Sequence, residues 1–448
     1  MVHIAPHLSI CAPAYGKIGD SLSEEITNHI MDKGLYDEYE ISVLPTKMAE
    51  SIVEDFSCYK KYPSIYESAG LKKLETNEDL SKLVDYLIEQ PDTRCIIMAV
   101  AVCDFKPSFL NVVDGKHIYP AVHEFGKNQK RLVSRDNIEI HLTADDKIVS
   151  KIRNKRKDIF LVSFKTTAGV GRDETYRRGL ESLKKNSSNL VFANDIQDKI
   201  NMVITPEEYP YEEQTREKAI STLSEMIVSR LQLTFNRTSV VPGDKANLEA
   251  LFDSGSIPEN FLSVMGSLVL NNAFKPFRGK TSGHFGCKVR GKEFDRISSI
   301  RKVDHNMVFE EGMAKIFVKE GEIVAMGGKP SVGEHTQQMI YDELGDKVHS
   351  IVHIHSPIRS GIDYIPFKIK GQKPFECGSN ECGTNTASGM ENVGIDGIFA
   401  VHLENHGPNI AFHKDVNPQK VIDFIDLYWD LSDKEGGLIK EIKVKESL

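Results

Sequence analysis

The sequence predicts an α/β protein built as two consecutive domains, and three observations predict it. The first half alternates short apolar runs with amphipathic helical ones. The second half is rich in strand-like runs punctuated by glycine. Between them the periodicity lapses into the Pro-Gly-containing stretch TFNRTSVVPGDKAN, the kind of segment that punctuates domains. Strands that alternate with helices imply a parallel sheet covered on both faces. The domains are therefore read as 1–236 and 245–448, within the two or three that 448 residues allow at about 150 each.

The elements follow in chain order. HLSICAP (7–13) is a short apolar strand, followed by Gly16-Lys17-Ile18-Gly19-Asp20 and a helix. Ser21 and Glu24 have capping-box spacing at the start of that helix. Gly34 suits its C-terminal cap. YEISVLP (39–45) reads as a second strand and LSKLVDYLIEQ (80–90) as a helix closed by Pro91. CIIMAVAV (95–102), DIFLVSF (158–164) and NLVFA (189–193) are continuous apolar runs, as in strands buried on both faces. The basic run KIRNKRK (151–157) reads as solvated surface. A polar helix over 212–231 closes the first half. Helices over 246–253 and 259–271 open the second, strands follow in GKTSGHFGCKV, AKIFVKEGEIVAMGG and SIVHIHS, and a helix over 418–431 ends it.

Composition bounds the function. The chain is 40% hydrophobic and 27% charged, as in a soluble globular protein. A net charge of −9 argues against nucleic acid and anionic membranes as partners. No apolar run approaches the roughly 18 residues of a membrane span, and the first residues do not read as a signal peptide. The seven cysteines (Cys11, Cys58, Cys95, Cys103, Cys287, Cys377, Cys382) are sparse and odd in number. Such a set reads as reduced thiols in a cytoplasmic protein rather than a disulfide framework.

The second half carries the strongest chemical signal. Side chains at i and i+2 share one face of a strand, so His353 and His355 project together while Val352 and Ile354 face a core. Two imidazoles about 7 Å apart along a strand can converge on one ion. A third stands at His406, where the apolar run IFAVHL (398–403) breaks at Gly407-Pro408. Three histidines with an open fourth position make a catalytic rather than a structural zinc site.

These motifs resemble the class II aldolase/adducin family over about 246–440. The turn Lys329-Pro330-Ser331-Val332-Gly333-Glu334 is followed nineteen residues later by His353-Ile354-His355, then by Asn405-His406-Gly407. Thr281-Ser282-Gly283-His284-Phe285-Gly286 is similar to the family's Thr-Ser-Gly-Asn-x-Ser phosphate loop, with His284 in the place of Asn and Gly286 in that of Ser. Gly333 is one residue more than the family's turn holds. The resemblance implies an α/β/α domain with lyase chemistry on a phosphorylated sugar or related carbonyl compound. It implies Zn2+ or another divalent first-row metal on His353, His355 and His406. Glu334 would be the catalytic acid/base, and Thr281, Ser282, Gly283 and Ser331 would hold phosphate. A metal in such a site stabilises enediolate charge as a Lewis acid, and a nearby carboxyl moves the proton. Aldolase, dehydratase and epimerase remain open.

In open parallel sheets, ligands bind beyond the carboxyl ends of the strands. Polar residues stand there after each apolar run of the first half. Ala99-Val100-Ala101-Val102-Cys103-Asp104, Leu161-Val162-Ser163-Phe164-Lys165-Thr166, Lys184-Lys185 with Ala193-Asn194-Asp195-Ile196, and Gly16-Lys17-Ile18-Gly19 resemble segments of phosphopantothenoylcysteine synthetases, over about 1–230. The resemblance implies a Rossmann-like fold with carboxylate–amine ligase chemistry, driven by CTP or ATP with Mg2+. Gly16, Lys17, Asp104, Phe164, Lys185, Asn194 and Asp195 would contact nucleotide, with Lys127 or Lys130 near its phosphates. The family's Asn-x-Ser-Ser segment is replaced by Ala14-Tyr15. Three readings follow: a bifunctional enzyme; one in which only the second domain is catalytic and the first is a nucleotide-binding or assembly module; and a non-catalytic, adducin-like interaction protein, which the intact His353, His355 and His406 count against. Both resemblances imply small-molecule partners and a homo-oligomer.

Overall fold

The computed structural model describes residues 17–47, 49–50, 62–100, 102, 105–109, 113–114, 117–118, 141–236, 238–274, 276–277, 280–301, 304–319 and 322–432. The run 7–13 and the residues Gly16, Asp104, Lys127 and Lys130 lie outside them. The chain divides into two compact units. One comprises residues up to Ile204 together with Tyr211–Leu231; the other comprises Thr205–Pro210 together with the chain from Gln232 onward.

The first unit opens on α1 (Lys17–Asp32). This helix starts earlier than expected, so Ser21 and Glu24 lie inside it and form no cap. Its end is as expected: Gly34 takes φ +68°, and the amides of Gly34 and Leu35 close on Met31 and Ile30. A capping box forms instead at α2 (Asn77–Glu89), where Thr76 and Asp79 each take the other's amide. Among the described residues, the run 39–45 joins no ladder, and Thr46 bridges to Leu74. It is a connection with apolar residues facing the core, which periodicity alone does not distinguish from a strand.

Strands β1 (Cys95–Met98), β2 (Phe160–Thr167) and β3 (Leu190–Asp195) run parallel in that order. β4 (Ile200–Ile204) then returns antiparallel to β3, and β5 (Pro210–Glu213) forms the edge. The parallel expectation thus holds for three strands. The four residues between β3 and β4 are too few for the crossover a parallel return requires. Both faces are covered: Phe160 and Val162 pack with α1 and α5 (Arg216–Arg230), and Leu161 packs with α2 and α3 (Ile148–Lys155). The helix α5, read as polar, buries Ala219, Ile220, Leu223, Met226 and Ile227.

The basic run 151–157 spans the end of α3 and does more than solvate a surface. Arg153 donates to the carbonyls of Ile159 and Ser187, and Arg156 to those of Ile88, Gln90 and Thr93. α4 (Arg172–Asn186) lies so close to the sheet that a Cβ on Gly179 would stand 2.9 Å from that of Ala193.

The second unit is built on a ten-stranded, mostly antiparallel sheet. At its centre β7 (Arg296–Ser298), β6 (His284–Lys288), β8 (Ser350–His353), β10 (Gly407–Phe412) and β9 (Ile398–Leu403) lie side by side. Their register aligns His284 with His353 and His353 with Asn409. One face packs Phe285, Cys287, Val352, Ile410 and Phe412 against α6 (Glu259–Leu270) and α8 (Pro418–Tyr428). The other packs Ile351, Val401 and Ala411 against α7 (Glu334–Leu344). Helices therefore cover both faces. Among the described residues, no helix is long and apolar enough to cross a membrane.

Candidate metal centre

β8 ends at His353, and His355 follows it, after the chain has left the ladder. Val352 and Ile354 enter the core as expected. The turn Glu404–His406 joins β9 to β10, so Gly407-Pro408 opens a strand instead of forming the turn. Asn405 accepts φ +58°, which its short polar side chain tolerates. Gly407 takes φ +136°, and a Cβ there would lie 2.1 Å from the carbonyl oxygen of Ile354. This close approach of two backbones carries His406 to the end of β8.

The three imidazoles meet there. Their candidate ligand atoms lie within 4.8 Å of one another. Ring centroids are 4.5 Å apart for His353 and His406, 4.8 Å for His355 and His406, and 5.1 Å for His353 and His355. The Nδ1 of His353 lies 2.8 Å from the carbonyl oxygen of Pro408. A carbonyl only accepts, so Nδ1 carries the proton and the Nε2 lone pair is available. Burial pushes this imidazole down to about 4, against the Pro408 hydrogen bond, so it is neutral at pH 7. Nε2 of His353 and Nε2 of His406 stand 3.2 Å apart. Zinc–nitrogen bonds of about 2.0–2.1 Å at tetrahedral angles put two ligand nitrogens about 3.3 Å apart. The donor set and its spacing fit a divalent ion.

Glu334 is the first residue of α7 and fully buried. Its Oε1 accepts from Nε of the buried Arg296 at 2.7 Å, while Oε2 is buried with no hydrogen-bond partner among the described residues. His284 stands on β6 beside His353, its ring centroid 4.8 Å away and the planes inclined by 31°. Its Nδ1 lies 2.9 Å from the side-chain nitrogen of the buried Gln337, on the first turns of α7.

The expected phosphate residues are placed variously. Gly283, with φ +95°, sits so tightly on His353 that a Cβ would be 2.6 Å from its carbonyl oxygen. The Thr281 hydroxyl accepts the amide of His305. Ser282 donates to the Glu208 carboxylate at 2.6 Å, an anionic partner for a group expected beside phosphate. The Ser331 hydroxyl accepts the amide of Gly333 at 3.3 Å, inside the turn that starts α7.

In the first unit, Lys17 is exposed at the start of α1 and Lys185 is exposed near the end of α4. Phe164 packs its ring 5.6 Å from that of Phe192. The Asn194 side-chain oxygen accepts from the Thr166 hydroxyl. Asp195 is buried, and its carboxylate accepts from the amides of Gly169, Val170, Gln197 and Asp198 and from the Thr167 hydroxyl. Burial opposes the charge of Asp195, but these donors outweigh it and hold the carboxyl well below the usual carboxylate range.

Sequence reasoning missed Arg296 and Gln337. An arginine directly before Ile297 in the strand-like run RISSI was the available signal, since a buried cation demands a buried anion. Gln337 had none, because its contact joins a helix to a strand more than fifty residues away.

Solved structures of both kinds that the motifs resemble match the chain. The DNA/pantothenate metabolism flavoprotein from Streptococcus pneumoniae is 19% identical, covering 49% of this chain and 88% of its own, with a TM-score of 0.35. The C-terminal domain of the coenzyme A biosynthesis bifunctional protein CoaBC is 15% identical, covering 48% and 82%, with a TM-score of 0.30. YgbL from Escherichia coli, provisionally described as an aldolase/epimerase/decarboxylase, is 14% identical, covering 40% and 97%, with a TM-score of 0.28. No protein-family model matches the sequence, and no curated protein does.

Proposed function

We propose that the second unit is a divalent-metal-dependent lyase of the class II aldolase type, acting on a phosphorylated sugar or related carbonyl compound. The observation that carries this reading is the 3.2 Å approach of the His353 and His406 Nε2 atoms, with His355 completing the group. When bound, the ion would supply Lewis-acid stabilisation of developing oxyanion charge. The protein's part follows from its own residues. The Pro408 carbonyl fixes the ring of His353, and burial keeps it neutral. Arg296 holds one oxygen of Glu334, leaving Oε2 to take or give a proton.

For the first unit we propose a nucleotide-binding fold of the phosphopantothenoylcysteine synthetase type, taking CTP or ATP with Mg2+ near Lys17, Phe164 and Lys185. A second reading, in which the second unit alone is catalytic, is favoured by the use of Asp195 within the fold.

Elemental mass spectrometry of the wild type beside His353→Ala/His355→Ala tests the first proposal. It expects about one ion per chain, lost in the double variant; no metal in either protein after reloading rejects it. Release of diphosphate or phosphate from CTP or ATP with a carboxylate substrate decides between the two readings of the first unit.

A further inference from the structure

Two features of the second unit fit one another. A Cβ built on Gly333 would lie 2.1 Å from Nε2 of His284 and 2.2 Å from its Cδ2, far inside any real contact. The imidazole of His284 therefore occupies the space that the glycine leaves open. The backbone of Gly333 is not otherwise demanding: its φ of −71° suits any residue, and the atoms nearest a Cβ there are those of the ring. The ring itself is held on three sides. Its strand pairs in register with His353, and its face lies against the His353 ring. Its Nδ1 meets Gln337 on the first turns of α7, the helix that Glu334 begins. His284 thus touches a metal-ligating candidate on one side and the start of the acid/base helix on the other.

We infer that His284 is a positioning residue for the metal centre, and that Gly333 is its obligate packing partner. This rests on the metal reading above. The ring sets the orientation of the His353 imidazole and fixes the first turn of α7 against β6. An Asn or Ala at 284 would leave a gap beside His353; any side chain at 333 would drive the His284 ring toward it. Groups that orient metal ligands are worth about 10- to 100-fold in affinity.

The experiment is a double-variant cycle on the full chain, read with cobalt(II) as the probe. Cobalt affinity and the visible ligand-field spectrum are measured for the wild type, His284→Ala, Gly333→Ala and His284→Ala/Gly333→Ala. Each single variant is expected to weaken cobalt binding by roughly 10-fold or more and to shift the spectrum. The double variant should bind no worse than His284→Ala, because the added methyl then meets no ring. A Gly333→Ala that does not fold is covered by the double variant, whose recovery reports the same coupling. Additive losses, or unchanged affinity and spectrum in His284→Ala while the wild type binds cobalt, overturn the inference and leave the metal reading intact. No cobalt bound by the wild type overturns the metal reading and this inference with it.

Discussion

Asp195 in the first unit and His353 in the second both follow apolar strand runs, and both looked like ligand-binding residues. Their surroundings differ in kind. Asp195 turns its carboxylate onto the amides of its own loops, so its acceptor capacity is taken up by the fold. His353 uses one nitrogen on the Pro408 carbonyl and faces the other toward His406. A backbone carbonyl can satisfy an N–H, but two imidazole nitrogens at 3.2 Å leave room for an ion to complete them. Hydrogen-bond saturation, more than position on a strand, separates a residue that holds a loop from a candidate ligand-binding residue.

The largest effect should come from exchanging the two kinds of residue. His355→Ala should weaken metal binding by more than about 100-fold, beyond what indirect partners cost, while moving the unfolding midpoint of metal-free protein little, since His355 is only half-buried. Asp195→Ala should do the reverse, lowering the midpoint by roughly 5 °C with metal content unchanged. Calorimetry and elemental analysis on the same samples would break the comparison if both variants lost stability alike.

Glu334 is the intermediate case, half engaged by Arg296. Arg296→Met leaves a buried carboxylate without its cation and should cost about 3–5 kcal/mol in denaturant titrations. Glu334→Gln keeps an oxygen that can accept from Arg296 but leaves that cation without its anion, so it too should lose stability. If Glu334 belongs with the reactive residues, the folded variant should also slow lyase turnover by about 100- to 10,000-fold; unchanged turnover would place Glu334 with Asp195.

A smaller effect is expected at Gly179→Ala, where α4 meets the sheet. The new methyl would stand 2.4 Å from Cδ1 of Ile204 and 2.9 Å from Cβ of Ala193. Overpacking of this kind costs about 1–3 kcal/mol. Chemical denaturation should show the loss, and unchanged stability would mean that the helix shifts outward freely.

Acid should act on the two units in different windows. Burial, the main cause at both, pushes His305 and His402 down to about 4 and about 3, so the folded second unit keeps them neutral. An unfolded histidine, with a pKa of about 6.5, binds its proton first. Stability of the metal-free second unit should therefore fall as pH drops from about 6.5 toward 4. Asp195 is also shifted down, but there burial is outweighed by hydrogen-bond donors that favour the charged form, whereas burial favours the neutral form of the histidines. The Asp195 contribution is present above the unfolded value of about 3.9 and is lost only as pH falls below it. Fluorescence-monitored unfolding of the second unit through Trp429, against circular dichroism of the whole chain, would reveal coincident transitions if the assignment is wrong.

Much of this protein was legible in its residues. Apolar runs marked β1, β2, β3 and β9, because a strand buried on both faces needs continuous hydrophobicity, and alternation marked β8. Gly34 marked the end of α1, because backbone conformation there depends on local chemistry. The histidines were legible from their spacing and type. The antiparallel return of β4, the loop at 39–45 and the early start of α1 were not, since each is settled by what packs against it. The same holds for the site. The sequence by itself determined that His353, His355 and His406 could meet and that Glu334 ends a turn nineteen residues before the first of them; that Glu334 begins a helix came from the structure. Only the tertiary structure decided that Arg296 faces Glu334, that Asp195 binds its own loops, and that the ring of His284 fills the space beside Gly333. Those pairings join segments tens of residues apart, and their free energy arises from close contact that no local pattern encodes.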